Sequence, residues 1–274
     1  MTTSPDVRRE VVRIRDVDVD VSIYGTSGVP VVLMPGGAVA CSGYFPDLVE
    51  GLAGQTVIVH DRLGTGTSRT AEPISVRSWS DDTATLLDGL GIERALLVGH
   101  SLGGALAAQV LLDHPERVAG VLLLDPTPLN DRPLCTRASK GAAALARLCR
   151  LPLVGGGFEA LLKRSGRPRR LRPSARQSFD RTFSGSWLED TAASVRLLIE
   201  DADAFCAREV SPTRVPALLV SADRKPTNKA RIAHTELAAM LGARLEIWPK
   251  TQHSLHLQKP DLVVTRTREL LESC

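Results

Sequence analysis

Ala95-Leu96-Leu97-Val98-Gly99-His100-Ser101-Leu102-Gly103-Gly104-Ala105-Leu106-Ala107 joins an apolar run the length of one buried strand directly to a helix-forming run, with Gly-x-Ser-x-Gly at the junction. A strand that turns straight into a helix crowds its own backbone, so the residues two before and two after the serine must be small. This is the form of a nucleophile elbow: Ser101 projects from a strained turn into open space. Leu102 opens the helix, and its N–H, with no intrahelical partner, lies at the positive end of the helix dipole.

Working outward, the flanking sequence alternates strands and helices. Val11–Arg15 and Val19–Ile23 alternate apolar and polar residues, which predicts an antiparallel edge hairpin turning near Asp16 to Asp18. Val29–Met34 is a near-continuous β-branched run that suits a strand buried on both faces, and it ends in Pro35-Gly36-Gly37. Beyond a short helix at Asp47–Leu52, the pattern predicts strand Thr56–His60, helix Val76–Leu90, strand Arg94–Val98, helix Leu102–Asp113 and strand Val118–Leu124. After Pro216 come strand Ala217–Val220, helix Lys229–Leu241, strand Arg244–Trp248 and helix Asp261–Leu271. Such alternation argues for a parallel sheet covered on both sides. Between the two regular parts lies a mainly helical stretch without a strand of comparable quality. The chain therefore divides into a core of residues 1–126 and 213–274 and an insertion of residues 127–212.

Composition bounds the classes. The 274 residues suffice for one large core; 43% are hydrophobic but only 4% aromatic, so packing rests on Leu, Val and Ala. A net charge of +3, with both signs spread along the chain, does not imply nucleic acid. Met1 to Glu10 has no apolar core for a signal peptide, and no apolar run approaches transmembrane length, so a cytoplasmic protein without a membrane partner is expected. Five widely spaced cysteines without a Cys-x-x-Cys pair read as free thiols.

In a parallel sheet, ligands sit beyond the carboxyl ends of the strands. The polar residues there are Gly36-Gly37, Asp61-Arg62, Ser101, Asp125 and Asp223, with His253 after the last strand. A serine hydroxyl needs a histidine to take its proton, and the histidine needs a carboxylate to fix its tautomer. The order Ser101, Asp223, His253 supplies all three.

On these residues the sequence resembles the α/β-hydrolase superfamily. Asp61-Arg62-Leu63-Gly64-Thr65-Gly66-Thr67-Ser68 is similar to the family's Asp-x-x-Gly-x-Gly-x-Ser loop, and His253-Ser254-Leu255-His256-Leu257-Gln258-Lys259-Pro260 to its catalytic histidine segment. The resemblance implies an α/β fold with a mostly parallel eight-stranded sheet flanked by helices and an inserted helical cap. It implies Ser101 as nucleophile, His253 as base and Asp223 as acid, with Asp125 the rival because some branches take their acid there. The backbone N–H groups of Gly37 and Leu102 are then the expected oxyanion hole.

Two departures stand out: Pro35-Gly36-Gly37 replaces the family's His-Gly, and Ser221-Ala222-Asp223 is one residue tighter than Gly-x-x-Asp. Tyr44, Phe183, Trp187 and His256 are candidate substrate contacts, with ordinary core packing as the alternative. His100 is expected to pack or hydrogen-bond beneath the elbow, and Asp61 with Arg62 to form an ion pair that braces a loop. Seven arginines between Arg164 and Arg181 read either as a solvated face or as a positive cap for an anionic or carrier-bound acyl group. The implied activity is hydrolysis of a small-molecule ester, lactone or thioester without metal or organic cofactor. Lyase, cyclase or cofactor-free oxygen chemistry on the same fold, or ligand binding without catalysis, stay open at this point.

Overall fold

The computed structural model describes residues 7–37, 39–45, 47–149, 172–182, 198–210 and 212–274. Its centre is an eight-stranded sheet of order β1-β2-β4-β3-β5-β6-β7-β8. The strands are β1 (Val7–Ile14), β2 (Val17–Tyr24), β3 (Ser27–Met34), β4 (Gln55–His60), β5 (Ala95–His100), β6 (Val118–Leu124), β7 (Ala217–Ala222) and β8 (Arg244–Trp248). Strand β2 runs antiparallel to both neighbours and every other pair from β4 to β8 is parallel.

The continuous apolar runs follow from burial on both faces. Side chains alternate across a strand, so Val32, Met34, Leu97, Val121, Leu123 and Leu219 fall in one core cluster. Their neighbours Val31, Leu33, Leu96, Val98, Leu122 and Val220 fall in the other. The first face is covered by α2 (Val76–Gly89), α3 (Leu102–Asp113) and α7 (Lys229–Leu241), the second by α1 (Leu48–Gly51) and α9 (Pro260–Leu271). Each fully buried Leu, Val or Ile is worth about 1.5–3 kcal/mol.

The hairpin turns one residue earlier than the sequence suggested. Ile14 pairs with Val17, leaving Arg15 and Asp16 as a two-residue turn, with Arg15 at φ 54°. The Arg15 guanidinium then grips Asp82 of α2 through Nε and Nη2 at 2.8 and 3.0 Å, tying the edge of the sheet to its covering helix. Between β6 and β7 the described residues form α4 (Arg132–Cys149), α5 (Pro173–Thr182) and α6 (Leu198–Cys206). Asp201 of α6 accepts from the Val76 N–H at 2.9 Å, adding to the Ser75–Ser78 capping box that closes the start of α2. Among the described residues no helix is long and apolar enough to cross a membrane, and Cys41, Cys135, Cys206 and Cys274 are free thiols.

Helix α3 is buried from Leu102 through Leu111, as an all-round apolar helix must be. It enters the core so tightly that a Cβ on Gly99 would lie 2.2 Å from the Gly103 carbonyl oxygen. One on Gly103 would lie 2.0 Å from that of Met34. Both obstacles are backbone, so no rotamer change relieves them. Gly103→Ala is therefore expected to cost at least about 2 kcal/mol. By contrast, Gly141 of α4 has nothing within 4 Å of its added Cβ, and Gly141→Ala is expected to gain about 0.5–1 kcal/mol. Urea unfolding of both variants checks the pair.

Candidate active site

Ser101 caps α3 with φ 53° and ψ −117°, a region L-residues rarely occupy and that costs on the order of 1–3 kcal/mol. Neighbouring backbone enforces it: Ser101 N–H donates to the Leu124 carbonyl at 3.0 Å, and the Ser101 carbonyl accepts from Ala105 and Thr127 N–H at 3.0 and 2.9 Å. The elbow is thus bonded both to its own helix and to the end of β6.

His253 reaches the serine from the loop after β8. Its Nδ1 lies 2.6 Å from Asp125 Oδ2 and its Nε2 2.9 Å from Ser101 Oγ. A carboxylate only accepts, so the proton sits on Nδ1, and Nε2 is left to accept the serine hydroxyl. The acid in this line is Asp125, directly after β6, and not the expected Asp223. Asp125 N–H donates to Val220 O at 2.7 Å, extending the β6–β7 ladder by one residue, and its φ of 46° turns the chain there. Asp223 instead accepts from the Lys250 N–H at 2.7 Å, holding the loop that carries His253.

The Asp125 carboxylate is 1% exposed and collects four donors. Oδ1 takes Ala222 N–H at 2.9 Å and Arg224 Nη1 at 2.5 Å; Oδ2 takes Arg224 Nη2 at 2.5 Å and His253 Nδ1. Burial raises its pKa, but the hydrogen bonds from Arg224 and His253 and their charges outweigh burial and hold the carboxyl well below the usual carboxylate range.

Beneath this line runs a buried set of rings made of His100, expected to pack or hydrogen-bond there, and of Tyr44 and His256, two of the expected substrate contacts. His100 Nε2 lies 2.8 Å from the His253 carbonyl oxygen, so it donates and Nδ1 accepts; the Tyr44 hydroxyl donates to that Nδ1 at 2.7 Å. Burial, then the nearby His253 charge, pushes the His100 pKa down to about 3, so the ring is neutral. Burial likewise pushes the Tyr44 hydroxyl up and the His256 ring well down. His256 stacks on Tyr44 at 4.9 Å and meets His100 at 4.2 Å between centroids. Tyr44 and His256 are 7% and 4% exposed, and both rings contact His100, which they hold in place. Phe183 and Trp187 lie outside the described residues.

The loop after β3 stands against the serine, because a Cβ on Gly36 would fall 2.9 Å from Ser101 Cβ. Gly37, at φ 56°, has its carbonyl held by Arg62 Nη2, whose guanidinium lies 4.5 Å from the Trp79 ring centroid. Asp61 accepts from Cys41 N–H at 2.7 Å and Thr67 N–H at 3.0 Å. Both residues thus brace the loop after β3 through separate hydrogen bonds, where an Asp61–Arg62 ion pair was expected. Of the arginine run, Arg172 pairs with Asp261 at the start of α9 and lies 3.8 Å from Asp47. Arg164, Arg167, Arg169 and Arg170 lie outside the described residues.

The chain belongs to the α/β hydrolase fold family, whose sequence profile matches residues 30–260. Over 115 residues it is 36% identical to a candidate carbamate hydrolase, RutD, of Azorhizobium caulinodans, covering 40% of this chain and 42% of that protein. It is 34% identical over 115 residues to lipase LipV of Mycobacterium tuberculosis, covering 42% and 44%. The aligned stretches thus span less than half of each relative. A thermophilic esterase from Thermogutta terrifontis superposes with a TM-score of 0.73 at 21% identity, covering 97% of this chain and 98% of its own; at that identity the likeness is one of fold.

His60, at the end of β4, is also buried, with Nδ1 unpartnered among the described residues. Burial and the Arg62 charge push its pKa down to about 4. An unfolded histidine titrates near 6.5, so between about pH 6.5 and 4 the unfolded chain binds this proton and the native one does not. Stability from this group is full above that window and is lost as pH falls through it. Relative to His60→Gln, the native protein should lose up to about 1.4 kcal/mol per pH unit there. Urea unfolding of the two proteins from pH 6.5 to 4.5 reads the difference; a pH-independent difference contradicts it.

Proposed function

We propose that this protein is a serine hydrolase that opens an ester-like bond of a small molecule, a carboxylic ester, lactone or thioester, through an acyl-enzyme. The observation that carries the reading is the continuous line Ser101 Oγ, His253 Nε2, His253 Nδ1, Asp125 Oδ2, with spacings of 2.9 and 2.6 Å. The ester and lipase activities named for relatives with this family's sequence and fold are in keeping with it.

In this reading His253 Nε2 takes the Ser101 proton as Oγ attacks the carbonyl carbon, and the carbonyl π pair moves onto oxygen. Asp125 stays ionised and holds the imidazolium by Nδ1–H. The Leu102 and Gly37 N–H groups receive the oxyanion, each worth about 2.7–4 kcal/mol. Collapse expels the alcohol or thiol, which takes the proton from Nε2. Water, deprotonated by the same nitrogen, then releases the acid. In this assignment the described helices between β6 and β7, α4, α5 and α6, belong to the cap, and Asp223 has a loop-holding role.

A fluorophosphonate probe followed by intact mass tests the reading. We expect one label per chain in the native protein and none in Ser101→Ala; an unlabelled native protein refutes the acyl-enzyme. With p-nitrophenyl acetate, Asp125→Asn should lower kcat/KM by about 10⁴-fold, the loss typical of removing a triad carboxylate. Asp223→Asn should lower it less than about tenfold, since the catalytic hydrogen bonds survive. The reverse ranking would return the acid to Asp223.

A further inference from the structure

Arg224 has no part in the mechanism above, yet it makes a two-point contact with the carboxylate that meets His253. It leaves the loop after β7 and forks onto both oxygens of Asp125. Its own backbone is fixed, with the Arg224 carbonyl accepting from Arg231 Nη1 of α7 at 2.6 Å. Oδ2 is shared between Arg224 Nη2 and His253 Nδ1. The guanidinium and the imidazole therefore stand within roughly 5 Å of each other, where one positive charge disfavours a second.

We propose that Arg224 is a positioning residue that locks the Asp125 carboxylate onto His253 and whose permanent charge offsets the carboxylate's, keeping His253 available as a base to lower pH. The inference rests on the triad reading for its catalytic consequence. The geometry separates two contributions. The bidentate fork fixes the carboxylate plane so that Oδ2 faces Nδ1, and losing it lowers turnover at every pH. The charge opposes protonation of His253, and losing it makes the site close earlier on the acid side.

The other groups facing this carboxylate and imidazole do not supply that charge. From α7, His234 Nδ1 lies 3.8 Å from Asp125 Oδ1. Its Nε2 donates to Pro126 O, and its Nδ1 accepts the Ser221 hydroxyl, each at 2.8 Å; burial pushes its pKa down. His100 of β5 and His256 of α8 (Leu255–Gln258) are buried and neutral, and Tyr44 from the loop after β3 keeps its proton. On the His253 loop, Lys250 is exposed, and its N–H meets the exposed Asp223. Among the described residues, Arg224 is thus the permanent cation in contact with Asp125.

The test compares native protein, Arg224→Lys, Arg224→Gln and Arg224→Met between pH 4.5 and 9. Two readings are taken: the protonation midpoint of His253 from imidazole NMR, assigned with His253→Gln, and the rate of fluorophosphonate labelling. In Arg224→Gln or Arg224→Met the midpoint and the acid limb of the rate profile should rise together by about one pH unit, the scale of one neighbouring charge. Arg224→Lys keeps the charge without the fork: its midpoint should stay within about 0.3 units of native, while its labelling falls at all pH. The Met variant, which keeps the apolar stem, serves if the Gln variant fails to fold. A folded Gln or Met variant with an unmoved midpoint overturns the proposal, as does a Lys variant that shifts as far as Gln. A native protein that never labels refutes the acyl-enzyme reading, while the NMR midpoints still decide the charge effect of Arg224.

Discussion

The structure depends on how closely α3 passes the end of β3. With no space for a Cβ between Gly103 and the Met34 carbonyl, strand β5 has no room for a loop before its helix, and Ser101 must absorb the turn at φ 53°. The backbone strain of that turn is offset by the buried length of α3 and by hydrogen bonds that tie the elbow to β6. A side chain placed on such a turn cannot fold back into the core. It stands at the carboxyl edge of the sheet, where the loops after β3, β6 and β8 converge.

The electrostatics of that edge are set by burial. Asp125 is almost fully enclosed, and an unpaired buried carboxylate would be prohibitive. Four donors satisfy it, three of them from the β7 end of the fold and its following loop: Ala222 N–H and two from Arg224. The fourth is His253. The carboxylate is therefore ionised throughout the ordinary pH range, and its hold on the imidazole is shared with a competing cation.

Support for His253 comes from both sides of its loop. Asp223 takes Lys250 N–H, and Gln258 Oε1 takes Gln252 N–H at 2.7 Å. From below, His100 donates to the His253 carbonyl and is itself fixed by Tyr44. Burial keeps His100 and His256 neutral, which lets stacked rings fill the space under the site without adding charge to it.

Most of the architecture was legible in the sequence because parallel strands buried on both faces must be apolar throughout, and their helices carry clear starts and stops. The ranges Leu102–Asp113, Val118–Leu124, Lys229–Leu241 and Arg244–Trp248 were readable residue for residue. The serine and the histidine were equally plain, since a crowded strand-to-helix turn requires Gly99 and Gly103, and the last strand hands on to His253. Which carboxylate meets that histidine was not. Strands β6 and β7 are parallel neighbours, with Leu124 opposite Val220, so Asp125 and Asp223 leave the sheet at the same edge and spacing along the chain favours neither. What decides between them is the direction each loop takes: Asp125 turns at once through a positive φ toward Ala222 and Arg224, while Asp223 points to the Lys250 backbone. That choice depends on which buried carboxylate finds its donors, and donors from separate strands are brought together only by the folded sheet.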